Sequence, residues 1–240
     1  MTIIVTGHSR GLGKEITQKI LTETSHSVIG ISRSEPESVK DNQIEFGSRF
    51  VHLSYDLTDI EGIKPLFLDS LKQLGPITGL VNNSAIAYDD LVTNMNAQRL
   101  EQLFQINVLA PMHLTKYVIR DMIFHKSKGS IVFVSSVSAH TAYKGLCMYA
   151  STKGALEAFS RGVAREWGKM GIRSNCVVPG FMETSMSDSL SDEQKDRIYR
   201  RTSLRSETNV ECVADTVLFL LSHKSQSITG TSIHVDSGTI

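Results

Sequence analysis

One pair of residues has the types and the spacing for proton transfer. Tyr149 and Lys153 lie four positions apart in the stretch YASTK, so a helical segment would present both side chains on one face. An ammonium one turn from a phenol favours the phenolate, which makes the phenol a usable acid or base. Ser136 lies thirteen residues before Tyr149, where the apolar run IVFVSS ends. Its hydroxyl can hydrogen-bond an oxygen that gains negative charge. The Tyr–Lys pair taken alone is also compatible with an ordinary amphipathic surface.

A glycine-rich segment near the start of the chain could hold a phosphate. The residues VTGHSRGLG at positions 5–13 place glycines at 7, 11 and 13. A glycine turn between a strand and a helix brings backbone N–H groups close to a phosphate, and the helix N-terminus adds partial positive charge. The spacing is TGxxxGxG, whereas the common dinucleotide fingerprint is GxGxxG. Its position between a predicted strand and a predicted helix favours the phosphate-binding interpretation over a purely structural turn.

The elements that would position these residues alternate between strand and helix. Most predicted strands are near-continuous apolar runs, which is typical of a parallel sheet buried on both faces. The predicted strands are 2–6, 27–32, 49–55, 77–82, 129–135, 173–178 and 232–236, and the predicted helices are 11–24, 60–74, 97–124, 149–170 and 210–223. This order predicts an α/β fold, a single-domain Rossmann-type doubly wound parallel sheet of about seven strands over residues 1–240.

A polar segment interrupts this rhythm at residues 183–208, after the sixth predicted strand. Loops at the carboxyl ends of parallel strands border ligand sites, so we predict a small substrate lid there. A solvated helical excursion without a role in binding is the alternative.

Composition excludes several other classes. The chain has 240 residues with 25 basic and 25 acidic side chains, so a polyanion such as nucleic acid is not expected as a partner. No apolar run approaches a membrane span, and the first residues predict a strand instead of a signal peptide. Three scattered cysteines indicate a reducing, cytoplasmic setting, and the eight histidines lack metal-ligand spacing, so no metal is expected.

Six motifs together resemble the short-chain dehydrogenase/reductase family. TGHSRGLG, NNSA at 82–85, Asn107, Ser136, YASTK at 149–153 and PGFMET at 179–184 occur in the family's order and spacing, and the resemblance extends from residue 2 to residue 238. It implies that the catalytic residues are Asn107, Ser136, Tyr149 and Lys153, with Asn107 holding a water that links the lysine to a proton relay. The family spacing selects Ser136 from the neighbouring Ser135 and Ser138. Tyr143 is expected to line the substrate pocket with Ser136 and Tyr149.

The resemblance also implies the residues that contact a nicotinamide cofactor. They are Gly7, Ser9, Arg10, Gly11, Leu12, Gly13, Arg33, Asp56, Leu57, Asn83, Ala85, Tyr149, Lys153, Pro179, Gly180, Met182 and Thr184. Ser84 and Ala85 depart from the Ala-Gly that the family usually has there, a small change that we expect to be tolerated.

The sequence favours NADP(H) over NAD(H). An NAD enzyme usually carries an acidic residue at the end of the second strand, to bind the ribose 2′-hydroxyl. That end carries Ser32 and Arg33 here, and Arg10 lies inside the glycine turn. Two guanidinium groups suit a 2′-phosphate, which arginine can bind through two hydrogen bonds. Glu35 and Glu37 follow in a predicted loop and argue in the opposite direction.

The substrate is less determined. The segment PGFMETSM and the ending ITGTSIHVDSG look most like 3-oxoacyl-[acyl-carrier-protein] reductases, which implies NADPH-dependent reduction of a ketone to a secondary alcohol, on an acyl thioester. A basic surface for an acidic carrier protein could involve Lys126, Lys128, Lys169, Arg173, Arg197, Arg200, Arg201 and Arg205, although these charges could equally be ordinary solvated surface. Alternatives are an NADP-dependent dehydrogenase of a sugar, polyol or other small alcohol, and a non-catalytic NADP(H)-binding sensor. The resemblance implies a homotetramer assembled through the helices at 97–124 and 149–170.

Overall fold

Strands and helices alternate along almost the whole chain. The computed structural model describes residues 1–141, 143–184 and 191–240. The strands are β1 (Thr2–Thr6), β2 (Ser27–Ser32), β3 (Phe50–Ser54), β4 (Ile77–Asn82), β5 (Gly129–Val134), β6 (Ile172–Pro179) and β7 (Ser232–Val235). The helices are α1 (Gly11–Glu23), α2 (Glu37–Phe46), α3 (Ile63–Asp69), α4 (Ala97–Phe104), α5 (Ala110–Phe124), α6 (Cys147–Trp167), α7 (Asp192–Tyr199) and α8 (Val210–Leu221).

The strands form one parallel sheet in the order β3-β2-β1-β4-β5-β6-β7. The order reverses direction between β1 and β4, which opens a crevice at their carboxyl ends, where doubly wound sheets bind ligands. One face of the sheet packs against α3, α5 and α6, and the other packs against α1, α2 and α8. The predicted doubly wound parallel fold is therefore confirmed. The predicted catalytic residues lie at the carboxyl edge of the sheet, which we call the catalytic edge.

The helix predicted over residues 97–124 is three segments. Helix α4 ends at Phe104, a π-helical turn covers Gln105–Leu109, and α5 begins at Ala110 with a proline in its first turn. Pro111 lacks a backbone N–H, so the regular bonding pattern cannot run through this point. The wider turn carries Asn107 and leaves it fully buried.

Helix α2 was missed by the sequence analysis. It is mostly polar, and Val39 and Asn42 are its buried residues, so it shows little of the apolar periodicity that identifies a helix. Helix α6 begins two residues before the predicted start at Tyr149 and ends at Trp167.

The polar segment at 183–208 contains α7, while residues 185–190 lie outside the described residues. A capping box starts this helix, because Ser191 accepts a hydrogen bond from the backbone of Gln194 and the Gln194 side chain bonds back. Tyr199 at its end donates a hydrogen bond to Glu183. The segment lies at the carboxyl edge of the sheet, and its function as a lid stays a prediction.

Among the described residues, the helices are all too short or too polar to cross a bilayer.

A buried histidine pair ties together the carboxyl ends of β1, β2 and β3. His8 Nε2 lies 2.8 Å from His52 Nδ1 and 3.3 Å from Ser32 Oγ. The Ser32 hydroxyl donates its proton to the Ser34 carbonyl oxygen, so His8 Nε2 must carry the proton that the other two atoms accept. Protonating His52 at Nδ1 would set two N–H groups against each other. His52 Nδ1 therefore carries no proton, and the His52 imidazole is neutral.

Burial, together with the nearby His52, lowers the pKa of His8 to about 4. An unfolded histidine has a pKa near 6.5. Between about pH 6.5 and 4, the histidine at position 8 is therefore mostly protonated in the unfolded chain and mostly neutral in the folded protein. The contribution of neutral His8 to the free energy of unfolding is therefore fully present above that window, and it is lost as the pH decreases through it.

We expect the free energy of unfolding to fall by about 2 kcal/mol more in the wild type than in His8→Gln when the pH drops from about 7.5 to 5. Urea denaturation at the two pH values measures this difference. The matched control is His223→Gln at an exposed position, which should follow the wild type. An identical pH dependence in wild type and His8→Gln would show that His8 is not held neutral.

Candidate active site

Helix α6 brings Tyr149 and Lys153 together over the end of β5. Lys153 is only 2% exposed, and its Nζ donates a hydrogen bond to the Val134 carbonyl oxygen at 2.8 Å. The same nitrogen lies 5.5 Å from the centroid of the Tyr149 ring. The four-residue spacing read from the sequence thus produces a buried ammonium beside a phenol, as that spacing on one helix face requires.

The pKa of Tyr149 differs from the sequence-based expectation. It is raised to about 12, mainly by burial; a hydrogen bond with Ser136 acts in the opposite direction, and the charge of Asp89 adds a smaller increase. Burial also lowers the pKa of Lys153 to about 8. In the protein chain itself, desolvation of the phenolate therefore outweighs the effect of the hydrogen bond with Ser136. Tyr149 is fully protonated at neutral pH, the form that a proton donor needs.

Ser136 lies two residues after the end of β5 and is hydrogen-bonded to the Tyr149 side chain. Its backbone is extended, and its Oγ accepts a hydrogen bond from Ser138 N at 3.2 Å. The Ser135 hydroxyl instead donates to Glu157, which lies two turns beyond Tyr149 on α6. Ser136 is thus the serine next to the phenol, and its catalytic role stays a prediction.

Asn107 links the loop after β4 to α6. Its Nδ2 donates to the Ile86 carbonyl oxygen at 2.9 Å and to Thr152 Oγ1 at 3.2 Å, and its Oδ1 accepts from Ile86 N at 2.9 Å. Thr152 lies between Tyr149 and Lys153 on α6. Both amide protons are therefore committed to protein atoms, and the predicted water contact would have to use a carbonyl oxygen of this residue.

The glycine turn has the shape needed for a pyrophosphate. Gly7 and Gly11 have φ angles of +68° and +51°, a region that glycine adopts without strain. A Cβ on Gly13 would lie 2.1 Å from the Gly7 carbonyl oxygen. Within the described residues, Arg10 at the N-cap of α1 makes no capping bond through its side chain. The first N–H groups of α1 thus remain available as donors, and these residues fit a dinucleotide phosphate.

The predicted adenosine end lies between the ends of β2 and β3. Ser9 Oγ is 3.4 Å from Ser34 Oγ, which joins the glycine turn to the segment after β2. The Arg33 guanidinium is 60% exposed and lies 3.9 Å from the Asp56 carboxylate. Hydrogen bonds from Thr58, together with the weaker attraction of Arg33, lower the pKa of Asp56. An exposed guanidinium with one distant carboxylate partner can turn towards an incoming phosphate.

Two predicted contact residues can contribute only through their backbone. The side chains of Leu12 and Leu57 are buried in the two cores on either face of the sheet. Asn83 has a structural task as well, because its Nδ2 donates to the carbonyl oxygens of Thr6 and Gly7. Ala85 lies two residues further along the same loop.

The segment after β6 approaches the glycine turn. Pro179 ends the strand, and Gly180 N donates to the Val235 carbonyl oxygen at 2.9 Å. Met182 packs on the core beside α1 and α8, and a Cβ on Gly11 would lie 3.7 Å from the Thr184 methyl group. These residues therefore border the crevice in which the predicted nicotinamide end would lie.

Tyr143 follows Ala142, which lies outside the described residues. Its contact with a substrate stays a prediction. Among the described residues, no cluster of histidine, cysteine, aspartate and glutamate could hold a metal ion.

A family model described as enoyl-(acyl carrier protein) reductase matches residues 7–239. The 3-oxoacyl-[acyl-carrier-protein] reductase FabG of Buchnera aphidicola is 32% identical over 99% of this chain and 96% of its own length. Carbonyl reductase [NADPH] 2 of Sus scrofa is 31% identical over 98% of this chain and 94% of its own length.

A solved structure of 4-hydroxyisoleucine dehydrogenase complexed with NADH has the same fold, with a TM-score of 0.93, 24% identity and coverage of 99% of this chain and 98% of that chain.

The protein belongs to the short-chain dehydrogenase/reductase family. It is an oxidoreductase that acts on CH–OH groups or the corresponding carbonyls with a nicotinamide cofactor. Sequence reasoning missed two groups at this edge, the His8–His52 pair and Glu157. The available signal for Glu157 was its position four residues after Lys153.

Gly13→Ala tests whether the glycine turn binds the dinucleotide. The added methyl group would collide with the Gly7 carbonyl oxygen, so we expect the dissociation constant for NADP⁺ to rise roughly tenfold or more, the effect of losing about one charge-assisted hydrogen bond. Calorimetric titration measures it. Gly168→Ala is the matched control, because its Cβ would meet nothing within 4 Å. Unchanged affinity in the folded Gly13→Ala protein would contradict the assignment.

Proposed function

We propose that the protein reduces a ketone to a secondary alcohol with NADPH, and that the ketone is a 3-oxoacyl thioester. The observation that carries the reductive direction is the protonated phenol of Tyr149 between the Ser136 hydroxyl and the buried ammonium of Lys153. NADPH would be held by the glycine turn and would supply a hydride. Ser136 would donate a hydrogen bond to the carbonyl oxygen, and Tyr149 would give that oxygen its proton.

The preference for NADPH is supported by charge at the predicted 2′-position. Arg10 and Arg33 flank the segment after β2, and Ser9 and Ser34 add hydroxyl donors beside them. Glu35 and Glu37, which argued against this choice, are both exposed. A phosphate placed between two guanidinium groups gains charge-assisted hydrogen bonds that a ribose hydroxyl cannot match.

The thioester substrate is supported by relatives and by the segment at 183–208. The name of the Buchnera relative specifies a 3-oxoacyl group on acyl carrier protein. Leu204 is 73% exposed in this segment, and α7 and the turn after it present exposed basic side chains. These are Arg197, Arg200, Arg201 and Arg205. An apolar and basic lid next to the catalytic edge suits an acyl chain delivered by an acidic carrier.

One predicted member of the docking surface has another task. The Arg173 guanidinium donates hydrogen bonds to the carbonyl oxygens of Leu220, Ser222 and Ile228, so this residue braces the end of α8. Lys126, Lys128 and Lys169 are exposed, but they lie at the amino edge of the sheet, opposite the catalytic edge of the same chain. The lid arginines are therefore the basic groups best placed for a carrier.

A dehydrogenase of a sugar, polyol or small alcohol is the second candidate. One relative at 31% identity is named carbonyl reductase [NADPH] 2, a name that specifies a carbonyl substrate but no acyl carrier protein. A sensor without turnover is less well supported, because Ser136, Tyr149 and Lys153 are assembled in one contact network.

We also propose a cytoplasmic homotetramer. All three cysteines are free thiols, which suits a reducing compartment. Helices α5 and α6 present an adjoining, partly apolar face that includes Met112, Ile123, Phe159 and Trp167. Such a face supports association of copies through these two helices.

The first test is NADPH oxidation with a short 3-oxoacyl thioester, followed at the absorbance of reduced nicotinamide. We expect turnover in the wild type and a loss of kcat of about 10²–10⁴-fold in Tyr149→Phe, because the proton donor is removed. Tyr117→Phe, which alters a tyrosine stacked on Phe67 in the core, should retain activity.

A 2-enoyl thioester is the substrate control for the reaction named by the family model. If NADPH is oxidised in the presence of a keto-sugar but not in the presence of the 3-oxoacyl thioester, the second candidate function replaces the first. Full activity in Tyr149→Phe would contradict the proton-donor assignment.

Arg33→Glu tests the cofactor preference. We expect the dissociation constant for NADP⁺ to rise by about 10–100-fold, the range for a lost charge-assisted contact plus repulsion. The value for NAD⁺ should change by less than about threefold on the same reasoning. Lys40→Glu on the neighbouring helix α2 alters net charge equally and is the control. Equal weakening of both nucleotides by Arg33→Glu would contradict a specific 2′-phosphate contact.

A further inference from the structure

Helix α6 presents a third polar residue on its catalytic face. Glu157 follows Lys153 by four positions, as Lys153 follows Tyr149, so the three side chains occupy one stripe of the helix. Glu157 is 5% exposed. Neither hydride nor proton transfer uses this carboxylate, and a carboxylate is buried at this depth only when hydrogen-bond donors surround it.

Three donors converge on the Glu157 carboxylate. Its Oε1 accepts from Ser135 Oγ at 2.5 Å and from His140 Nε2 at 2.9 Å, and its Oε2 accepts from Ser232 Oγ at 3.1 Å. Ser135 comes immediately before the predicted catalytic serine, and His140 comes four residues after it. One carboxylate on α6 therefore holds both ends of the segment 135–140.

The segment between these two ends is internally ordered. Val137–Ala139 form a 3₁₀ turn in which Ala139 N donates to the Ser136 carbonyl oxygen and His140 N donates to the Val137 carbonyl oxygen. Ser136 Oγ accepts from Ser138 N. The turn can therefore move only as a unit, and the Glu157 bonds attach that unit to the helix that carries Tyr149.

An ionised carboxylate suits this arrangement because each bond that it accepts is charge-assisted. An ionised carboxylate has two oxygens, each with two acceptor positions and no donor, so it can receive three hydrogen bonds at once. Glutamine keeps the volume but replaces one oxygen by a donor. Its one oxygen could still accept from Ser135 and His140, and its amide could donate to the Ser232 hydroxyl. None of these bonds would be charge-assisted, so the attachments would be weaker.

We propose that Glu157 is a positioning residue, which sets the Ser136 hydroxyl against Tyr149 by fixing Ser135 and His140. The inference rests on the proposed function, in which Ser136 and Tyr149 act together on a carbonyl oxygen. It assigns to Glu157 no contact with substrate or cofactor.

Hydrogen exchange of the protein without nucleotide or substrate tests the attachment directly. In Glu157→Gln we expect the backbone amides of residues 137–141 to exchange at least about fivefold faster, because local opening no longer breaks charge-assisted bonds. The glycine turn at 7–13 should be unchanged. Glu166→Gln, an exposed glutamate on the same helix, is the matched control. Unchanged exchange of residues 137–141 in Glu157→Gln would overturn the proposal.

A double-mutant cycle tests whether Glu157 acts through the serine. With any ketone that the wild type reduces, Glu157→Gln should lower kcat by about 10–100-fold, the sensitivity of such chemistry to small misplacement, and should leave the NADP⁺ dissociation constant within twofold. In a Ser136→Ala background, the same substitution should change kcat by less than twofold. An equal loss in both backgrounds would show a general structural role and overturn the proposal.

Two further variants keep the test decisive if Glu157→Gln does not fold. Ser135→Ala and His140→Phe each remove one attachment and leave the carboxylate in place, so each should give a smaller loss of kcat and faster exchange at its own end of the segment. No effect of either variant on exchange would overturn the attachment. Absence of turnover in the wild type with every ketone would contradict the proposed function, and the exchange result would then decide the inference alone.

Discussion

The buried ammonium of Lys153 is the constraint on which the rest of the catalytic edge depends. Its pKa is lowered from 10.5 to about 8, so at neutral pH the folded protein holds a charge that the unfolded chain would hold more easily. This difference costs stability by roughly 3 kcal/mol at neutral pH, and the cost disappears only as the pH rises past the unfolded value. The Lys153 ammonium can be buried because α6 crosses the end of β5, where the Val134 carbonyl oxygen accepts a hydrogen bond from Nζ. The packing of α6 on the sheet must supply the compensating free energy.

At the predicted nucleotide end of the same edge, the glycine turn is supported by the His8 side chain, which packs against Gly30 of β2. A Cβ on Gly30 would lie 2.5 Å from the His8 ring, so the glycine of β2 leaves the space that the imidazole fills. His8 then reaches both His52 and Ser32, and the glycine turn is held against the ends of two neighbouring strands. A turn that must present N–H groups to a phosphate cannot use them for its own support, so side chains behind the turn provide that support.

The strands and the shared helix of Tyr149 and Lys153 could be predicted because their signals are local. Apolar runs identify parallel strands, and the Tyr149–Lys153 spacing specifies a shared helix face. The break around Asn107 could not be predicted in the same way, because a π turn has no spacing signal of its own beyond the nearby Pro111. Helix α2 lacks an apolar stripe, and a lone histidine such as His8 gives no indication of its partner forty-four residues away. Predictions therefore failed where tertiary contacts, and not local pattern, determine the structure.

The electrostatics of the site couple Tyr149 and Lys153 during proton transfer. Before proton transfer, the protein holds an isolated buried cation at Lys153 and a neutral phenol at Tyr149 whose pKa is raised to about 12. When the phenol gives up its proton, a phenolate forms beside the ammonium, and the isolated charge becomes an ion pair. Because an unpaired buried charge costs more than a paired one, the ammonium already in place offsets part of the cost of forming the phenolate. The same burial that makes Tyr149 a weak acid at rest thus makes Lys153 an effective partner for it during ketone reduction.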